Sequence, residues 1–384
     1  MTTESGSVDP PPGGDVVREP GPVADAALAA PLAAWWSRAR LKKLGRAALL
    51  SEYFVLYLSF LYMLALGPFL PQLFAAQNLA DLVSNIWPLL VVAIGQNFVL
   101  ITAGIDLSQT SNMALTSVIG AVLIVTACDP VLFSKCPLWG TLLSEQGGPL
   151  AGMALGVPIA VLTMLVIGSL IGWVNGVAVA RFKMPAFMVT LVSMMFFSAV
   201  AIYLPKSENI RNLPHAFNVL GKGAIGPVPI PLLVGVGVAI GAHLLLSRTL
   251  FGRRLYAVGT NPVASTISGI PTARIITQAY VLAGLCAALA SVLYSARLEM
   301  GRPTLARTQF IDIVGANVIA GVSLSGGKGK ITWTAFGVIF FVLLANTLNL
   351  LDLPFYTIDI VKGLVIFGAA FLDVLRTRAA AQSH

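Results

Sequence analysis

Charge is scarce in this sequence, and its scarcity excludes the most. Only 10% of the 384 residues are Asp, Glu, Lys or Arg, against 57% hydrophobic residues, and the mean hydropathy is +0.86. That is too little polar surface to cover a soluble fold of this length. The chain therefore reads as an all-α polytopic integral membrane protein. Histidine and cysteine are rarer still, at three each. His215, His243 and His384 lie too far apart to form a local metal site, and neither HExxH nor GxSxG occurs, so no catalytic residue and no metal site is assigned. Cys128, Cys136 and Cys286 lack metal-ligand spacing. Cys128 and Cys136 share one predicted outer loop, where a disulfide and two free thiols both remain open. A phosphate loop is missing too. GGKGK at 326–330 fails the GxxxxGK[ST] pattern, because Gly321 stands one position too far from Gly327, Lys328 precedes Gly329 and Lys330 precedes Ile331. The chain is thus expected to carry no nucleotide or other cofactor of its own. The excess of 24 basic over 16 acidic residues gives +8. These cations sit at the ends of apolar runs rather than in one patch with interleaved aromatics, which points to membrane topology and not to nucleic acid.

What is present is a series of apolar runs with basic ends. Residues 1–34 are rich in Pro, Gly and Ala, lack the layout of a signal peptide, and read as a disordered tail. Trp35 and Trp36 precede Arg38, Arg40, Lys42, Lys43 and Arg46, an interfacial end that keeps residues 1–46 cytoplasmic. Residues 47–376 are expected to form the transmembrane domain. Spans are predicted near 53–70, 82–103, 108–127, 150–180, 185–204, 230–246, 275–295, 331–351 and 355–372, with outer loops at 129–149 and 205–229. Arg181, Lys183, Arg248, Arg274, Lys328, Lys330, Arg376 and Arg378 then fall on the cation-rich, cytoplasmic side. Two cytoplasmic termini require an even number of crossings. The short run 311–324 is therefore the tenth span, broken because at about 1.5 Å per residue it barely crosses a ~30 Å core. Residues 377–384 form a short cytoplasmic tail.

The longest polar interruption in the C-terminal half is 248–274, bracketed by Arg248, Arg253, Arg254 and Arg274. Two short helical runs are predicted within it, the second N-capped by Asn261 with Pro262 in its first position. A short helix along the inner membrane face is either a plain connector or a docking surface for another protein. There is also an internal echo. AGIDLS at 103–108 recurs as AGVSLS at 320–325, each where one span has ended inside and another begins, a common place for discontinuous helices that line a path.

Ion-coupled transport requires titratable groups in the membrane, and Asp106, Asp312 and Asp359 are the candidates considered. Each also has a structural reading: Asp106 can cap the Ser108 or Gln109 amide, and the other two lie near outer ends of spans. What remains is a neutral path of amides and hydroxyls: Gln96, Asn97, Gln109, Asn112, Asn175, Thr190, Ser193, Asn317, Asn346 and Asn349. Such groups replace the water hydrogen bonds of an uncharged polyhydroxylated solute without requiring a counter-charge. They serve equally as interhelical hydrogen bonds.

Four segments carry a family resemblance. GIDLSQTSNMALTSVIGA, LIGWVNGVAVARFKMPAFMVTLVSMM, FGRRLYAVGTNPVASTISGIPT, and the C-terminal IAGVSLSGGKGK with LNLLDLPFYTIDIVKGLVIFGAAFLD resemble the permease subunits of bacterial ABC importers for ribose, xylose, arabinose and galactose. The likeness covers about residues 75–376. It implies a multi-pass protein of the bacterial inner membrane, about ten transmembrane helices, and import of a monosaccharide or similar polyol. It implies as partners a second permease copy, an ABC ATPase subunit holding ATP and Mg, and a periplasmic sugar-binding protein, all in a lipid bilayer. It assigns ATPase coupling to Gly252, Arg253, Arg254, Tyr256, Ala257, Gly259, Asn261, Ala264, Ser268 and Gly269. The candidate path is Gln96, Asp106, Ser108, Gln109, Asn112, Asn175, Thr190, Asn317 and Asn346. The chain departs from the family's GGIDLSVGS pattern at Ala103, Gln109, Thr110 and Asn112, which makes the segment bulkier and more polar and leaves the solute open. An ion-coupled secondary carrier for a neutral solute, and an importer of the same class for an autoinducer or nucleoside, are the alternatives.

Overall fold

The computed structural model describes residues 53–381, so the expected tail of residues 1–46, with its aromatic and basic end, lies outside the described residues. Apolar runs become helices because backbone in hydrocarbon must satisfy its own hydrogen bonds, and an α-helix does so within one segment. In chain order the helices are α1 Phe54–Leu66, α2 Ala76–Ile101, α3 Gln109–Ile124, the single turn α4 Pro130–Phe133, α5 Gly156–Ala180, α6 Ala186–Tyr203 and α7 His215–Lys222. They continue with α8 Ile230–Arg248, α9 Leu250–Thr260, α10 Pro262–Ile267, α11 Thr272–Leu298, α12 Phe310–Ile319, α13 Ile331–Leu350 and α14 Phe355–Ala381. Among the described residues, helices α2, α5, α6, α8, α11 and α13 are the six long and apolar enough to cross a membrane. The shorter apolar helices α1, α3 and α12 and the 27-residue α14 complete the expected set. Among the described residues the strands are β1 Ala224–Ile225 and β2 Val228–Pro229, one antiparallel pair.

From Val55 onward the chain packs as one unit, built around two hub helices. Helix α11 packs against α2, α3, α5 and α7, while α2 also carries α8, α12 and α13. The most extensive crossing is α5 on α11, where Gly168 and Gly284 meet and a Cβ on Gly284 would collide with the Gly168 carbonyl oxygen. Without a hydrophobic driving force between helices in lipid, such small residues let backbones approach closely. Helix α12 is the broken span. Its ten residues cover about half of a ~30 Å core. Non-helical backbone then runs from Ala320 to Lys330, turning through left-handed Gly321, Gly326 and Gly327.

Chain segments assigned to the same side of the membrane meet. On the outer side Ile210 and Gly301 exchange both backbone hydrogen bonds at 2.9 and 2.8 Å, Lys222 pairs with Glu299 at 2.9 Å, and Arg297 donates to Asn85. On the inner side the Gly327 amide donates to the Ile101 carbonyl at 2.9 Å.

Local structure departs from expectation in two places. The segment 205–229, expected as an outer loop, folds into α7 and the hairpin, because Phe217 and Gly221 stand four residues apart and bury one face of α7. Helix α14 continues through the segment expected as a tail, to Ala381. Cys128 and Cys136 are free and buried, with the Cys136 thiol donating to the Leu204 carbonyl. Burial raises the Cys128 thiol above its ordinary range, with neighbouring Cys136 adding to the shift.

Candidate functional site

The GIDLS segment enters the protein interior between α2 and α3 instead of turning at the surface. Asp106 is 2% exposed, and its Oδ1 accepts from the Ser108 amide at 2.9 Å and the Ser108 hydroxyl at 2.6 Å. The Asn175 amide of α5 donates to Ser108 Oγ at 2.8 Å, and the Ser193 hydroxyl of α6 donates to Asn175 Oδ1. Thr190 on α6 donates to the Ile105 carbonyl at 3.1 Å. Satisfying this network orients the Gln96 amide so that its nitrogen reaches the Asp106 carbonyl at 3.2 Å and Gln109 Oε1 at 3.1 Å. Gln96, Asp106, Ser108, Gln109, Asn175 and Thr190 thus form one buried cluster tying four helices to the loop.

The other path residues lie elsewhere. Asn112 donates to the Gly168 carbonyl at 3.1 Å at the α5 and α11 crossing. Asn317 donates to the Ala93 carbonyl at 3.0 Å and accepts from Thr334 at 2.8 Å, while Asn97 donates to Thr334. This second cluster fastens α12 to α2 and α13. Asn346 exchanges hydrogen bonds only with Asn78, at 3.1 and 2.7 Å, near the outer ends of α13 and α2. The nine candidates are therefore distributed over separate interhelical contacts in this conformation.

The cavity beside the first cluster is lined by different residues. It has a volume of about 310 Å³ between α3, α6 and the segment before α12, and Thr110, Met194, Ser198, Thr304 and Arg307 face it. A larger outer pocket of about 520 Å³ shares Thr304, Leu305 and Arg307 with it and adds Arg297 and Arg302. The sequence signal for the inner cavity was the four-residue spacing of Thr110 with Ala114 and of Ser198 with Ile202, which puts each pair on one helix face. A further residue the sequence reading did not single out is Lys362 on α14. Its Nζ lies 2.8 and 3.0 Å from the two Asp312 carboxylate oxygens of α12.

On the side to which the cation pattern assigns the cytoplasm, α9 and α10 form a bent pair. Thr249 caps α9 by accepting from the Gly252 amide at 3.3 Å, and Asn261 caps α10 by accepting from the Ala264 amide at 2.9 Å, with Pro262 in the first helical position. Helix α9 is fastened at three points. The Phe251 ring packs on Phe98 of α2 at 6.4 Å between centroids, and the Tyr256 hydroxyl donates to the Gly329 carbonyl. Gly259 sits so close to the end of α2 that a Cβ there would collide with the Ile101 carbonyl and lie 2.8 Å from the Gly327 amide nitrogen. The Gly326 backbone also approaches Ala103, whose Cβ would stand 2.8 Å from a Cβ on that glycine. Ala103, which starts one echoing segment, therefore lies beside Gly326, which follows the other, beneath one helix. Arg253, Arg254, Ala264, Ser268 and Gly269 are exposed, whereas Gly252 and Gly259 are buried and Ala257 is half-buried.

Ala103 is held at φ +62°, a left-handed conformation that costs an L-residue roughly 1–2 kcal/mol. Ala103→Gly removes that strain but adds about 0.4–1 kcal/mol of unfolded-state freedom. A rise in stability of about 0.5–1 kcal/mol is expected, read as a higher apparent Tm of the detergent-purified chain.

The family described as branched-chain amino acid transport system, permease component, matches residues 78–370. The chain is 33% identical over 323 residues to the ribose import permease protein RbsC of Bacillus subtilis (strain 168), covering 80% of this chain and 92% of that one. It is 32% identical over 307 residues to RbsC of Escherichia coli (strain K12), covering 79% and 87%. The xylose transport system permease protein XylH of the same strain is 28% identical over 360 residues, covering 78% and 85%. No solved structure matches the chain.

Proposed function

The chain belongs to the branched-chain amino acid transport system permease component family, a multi-pass protein of the bacterial inner membrane, and from this membership we propose its task in detail. It is the membrane-spanning subunit of an ATP-binding-cassette importer that moves a monosaccharide or similar polyol, delivered by a periplasmic binding protein and driven by ATP hydrolysis on a separate subunit. The names of the ribose and xylose permeases support the solute class, as do the hydroxyls of Thr110, Ser198 and Thr304, which line the 310 Å³ cavity together with Arg307. The heavily exposed apolar face of α6, with Val192 65% and Met195 65% exposed beside that cavity, offers a surface for a second copy.

One observation carries the coupling role: α9 is wedged by Gly259 against the Ile101 carbonyl, just before one echoing segment, and the Gly327 amide, just after the other, while α10 presents Val263 and Ile267 at 69% and 83% exposure. A partner pressing on α10 moves α9, and α9 cannot move without displacing Ile101 and Gly327. Closure of the ATPase halves is thereby converted into motion at the inner ends of α2 and of the broken span. Phe251, Tyr256 and Gly259 transmit; Val263 and Ile267 receive.

The test is reconstitution of the permease with its neighbouring ATPase and binding protein in vesicles. Uptake of a pentose or related polyol is expected to require ATP, Mg and the binding protein, and to persist when the proton gradient is collapsed. Uptake by the isolated chain that stops with the gradient would establish the secondary carrier instead. A binding protein that retains a nucleoside or autoinducer and no sugar would move the solute assignment.

A further inference from the structure

Where α2, α11, α12 and α13 converge, at the ends that the cation pattern assigns to the outer side, lies a chamber of about 140 Å³ lined by Asn85, Tyr294, Gln309, Asp312, Asn346 and Asn349. Asn85, Tyr294 and Gln309 also line the outer pocket of about 520 Å³, so the chamber opens toward it. It shares no lining residue with the 310 Å³ cavity between α3 and α6. The two spaces are separate.

We propose that this chamber is a second solute site, which binds one uncharged polyhydroxylated molecule of monosaccharide size at the outer ends of the four helices and needs neither the binding protein nor the ATPase to do so.

Free hydrogen-bonding capacity identifies the occupant. The Gln309 side-chain carbonyl is buried with no hydrogen-bond partner among the described residues, a cost that a ligand hydroxyl relieves. Asn85 Oδ1 accepts from Arg297, which leaves its two N–H groups. Asn349 donates one N–H to the Ala345 carbonyl at 2.7 Å, which leaves the other N–H and its oxygen. Donors and acceptors are thus both on offer, and a hydroxyl uses both. A cation would use acceptors alone and an anion donors alone. Nor does the lining carry an unmatched charge to draw an ion. The Asp312 carboxylate is met by Lys362 at 2.8 and 3.0 Å, and Arg302 and Arg307 stand in the wider pocket and not in the chamber. The Phe341 and Tyr294 rings, also in the wall, supply apolar surface for the C–H face of such a solute. Volume sets its size, well below the roughly 300–1,000 Å³ of sites for drug-sized ligands. A molecule seated here bridges the broken span α12 to α2, α11 and α13.

The site goes beyond the import assignment and does not rest on it, so it is tested on the purified full chain in detergent, without ATPase or binding protein. Saturation-transfer difference NMR is recorded while ribose, xylose, arabitol or inositol is titrated in. At least one of the four is expected to give a saturable signal, unchanged when choline replaces sodium in the buffer. Asn349→Leu, at an exposed position near the end of α13, and Gln309→Leu, just ahead of α12, each weaken binding about fivefold, as loss of one hydrogen bond does. Their places on separate elements keep the test open if one variant fails to fold. Ser198→Ala, in the cavity between α3 and α6, leaves the signal as it is. Full affinity in the folded Asn349 and Gln309 variants, with loss in Ser198→Ala, places the solute in that other cavity and overturns the chamber while the import assignment stands. No saturable signal from any of the four compounds, or stabilisation of the chain by sodium alone, overturns it as well, leaving a chamber for water or a cation. Binding at the chamber with no ATP-driven uptake in the reconstituted transporter would count against the import assignment only.

Discussion

Gly259→Val abolishes coupled import while leaving the permease in the membrane. The expected loss of uptake is at least tenfold, with ATP hydrolysis by the assembled transporter no longer responding to the loaded binding protein. The reason is the nature of the obstacle. A Cβ at this position meets the carbonyl of Ile101 and the amide of Gly327, and backbone, unlike a side-chain tip, has no rotamer by which to retreat. Helix α9 must therefore shift as a body. Overpacking of this kind costs about 1–3 kcal/mol, and every 1.4 kcal/mol is about a factor of ten in the equilibrium between two conformations. The shift also pulls on the Tyr256 hydroxyl bond to Gly329 and on the Phe251 contact with Phe98. Gly241→Ala on α8 is the control, because a Cβ there meets nothing within 4 Å, and it should transport as wild type does. Normal uptake and normal ATPase stimulation in Gly259→Val would remove α9 from the coupling route.

The parts of this molecule that were legible in its sequence are those governed by one-dimensional rules. Spans follow from apolar run length, so the boundaries 230–246 and Ile230–Arg248, or 331–351 and Ile331–Leu350, nearly coincide. Asn261 and Pro262 announced the start of α10, because a cap needs only its own helix. The echo of 103–108 in 320–325 placed two segments at inner ends of spans, and their juxtaposition beneath Gly259 follows from that shared depth. Helix α7 was not legible. Eight residues are too few for a periodic pattern to stand out from an outer loop, and α7 is held by α11, whose approach the local sequence does not encode. The polar residues were recognisable as a class, yet their grouping was not. Which amide meets which carbonyl depends on how α2, α5 and α12 cross, and the same side chains that would line a path instead bond across helices in this conformation. Lys362 escaped for a related reason: its partner lies 50 residues away, and a lone cation within an apolar run gives no sign of whether it points to lipid, water or a carboxylate.

Lys362 also supports the second large effect. Its side chain is 10% exposed and that of Asp312 is 15% exposed, with the ammonium between both carboxylate oxygens at 2.8 and 3.0 Å. Removing one partner from such a pair leaves the other charge buried and uncompensated, which costs about 3–5 kcal/mol. Lys362→Met is therefore expected to lower the apparent Tm of the purified chain steeply and to reduce the folded yield. Replacing both partners removes the charge together with its counter-charge, so the double variant Asp312→Leu/Lys362→Met should recover most of the lost stability, as buried pairs exchanged for apolar residues often do. The location makes the effect large. Helix α12 has only ten residues, and it is held through Asn317 on one flank and through Asp312 on the other. An uncompensated carboxylate on so short a helix is relieved by tilting α12 toward water, which draws the non-helical segment 320–330 with it. A thermal-shift series of the two single variants and the double variant decides the matter. Equal destabilisation in the double and the Lys362→Met single would show that packing volume, and not charge pairing, joins α12 to α14.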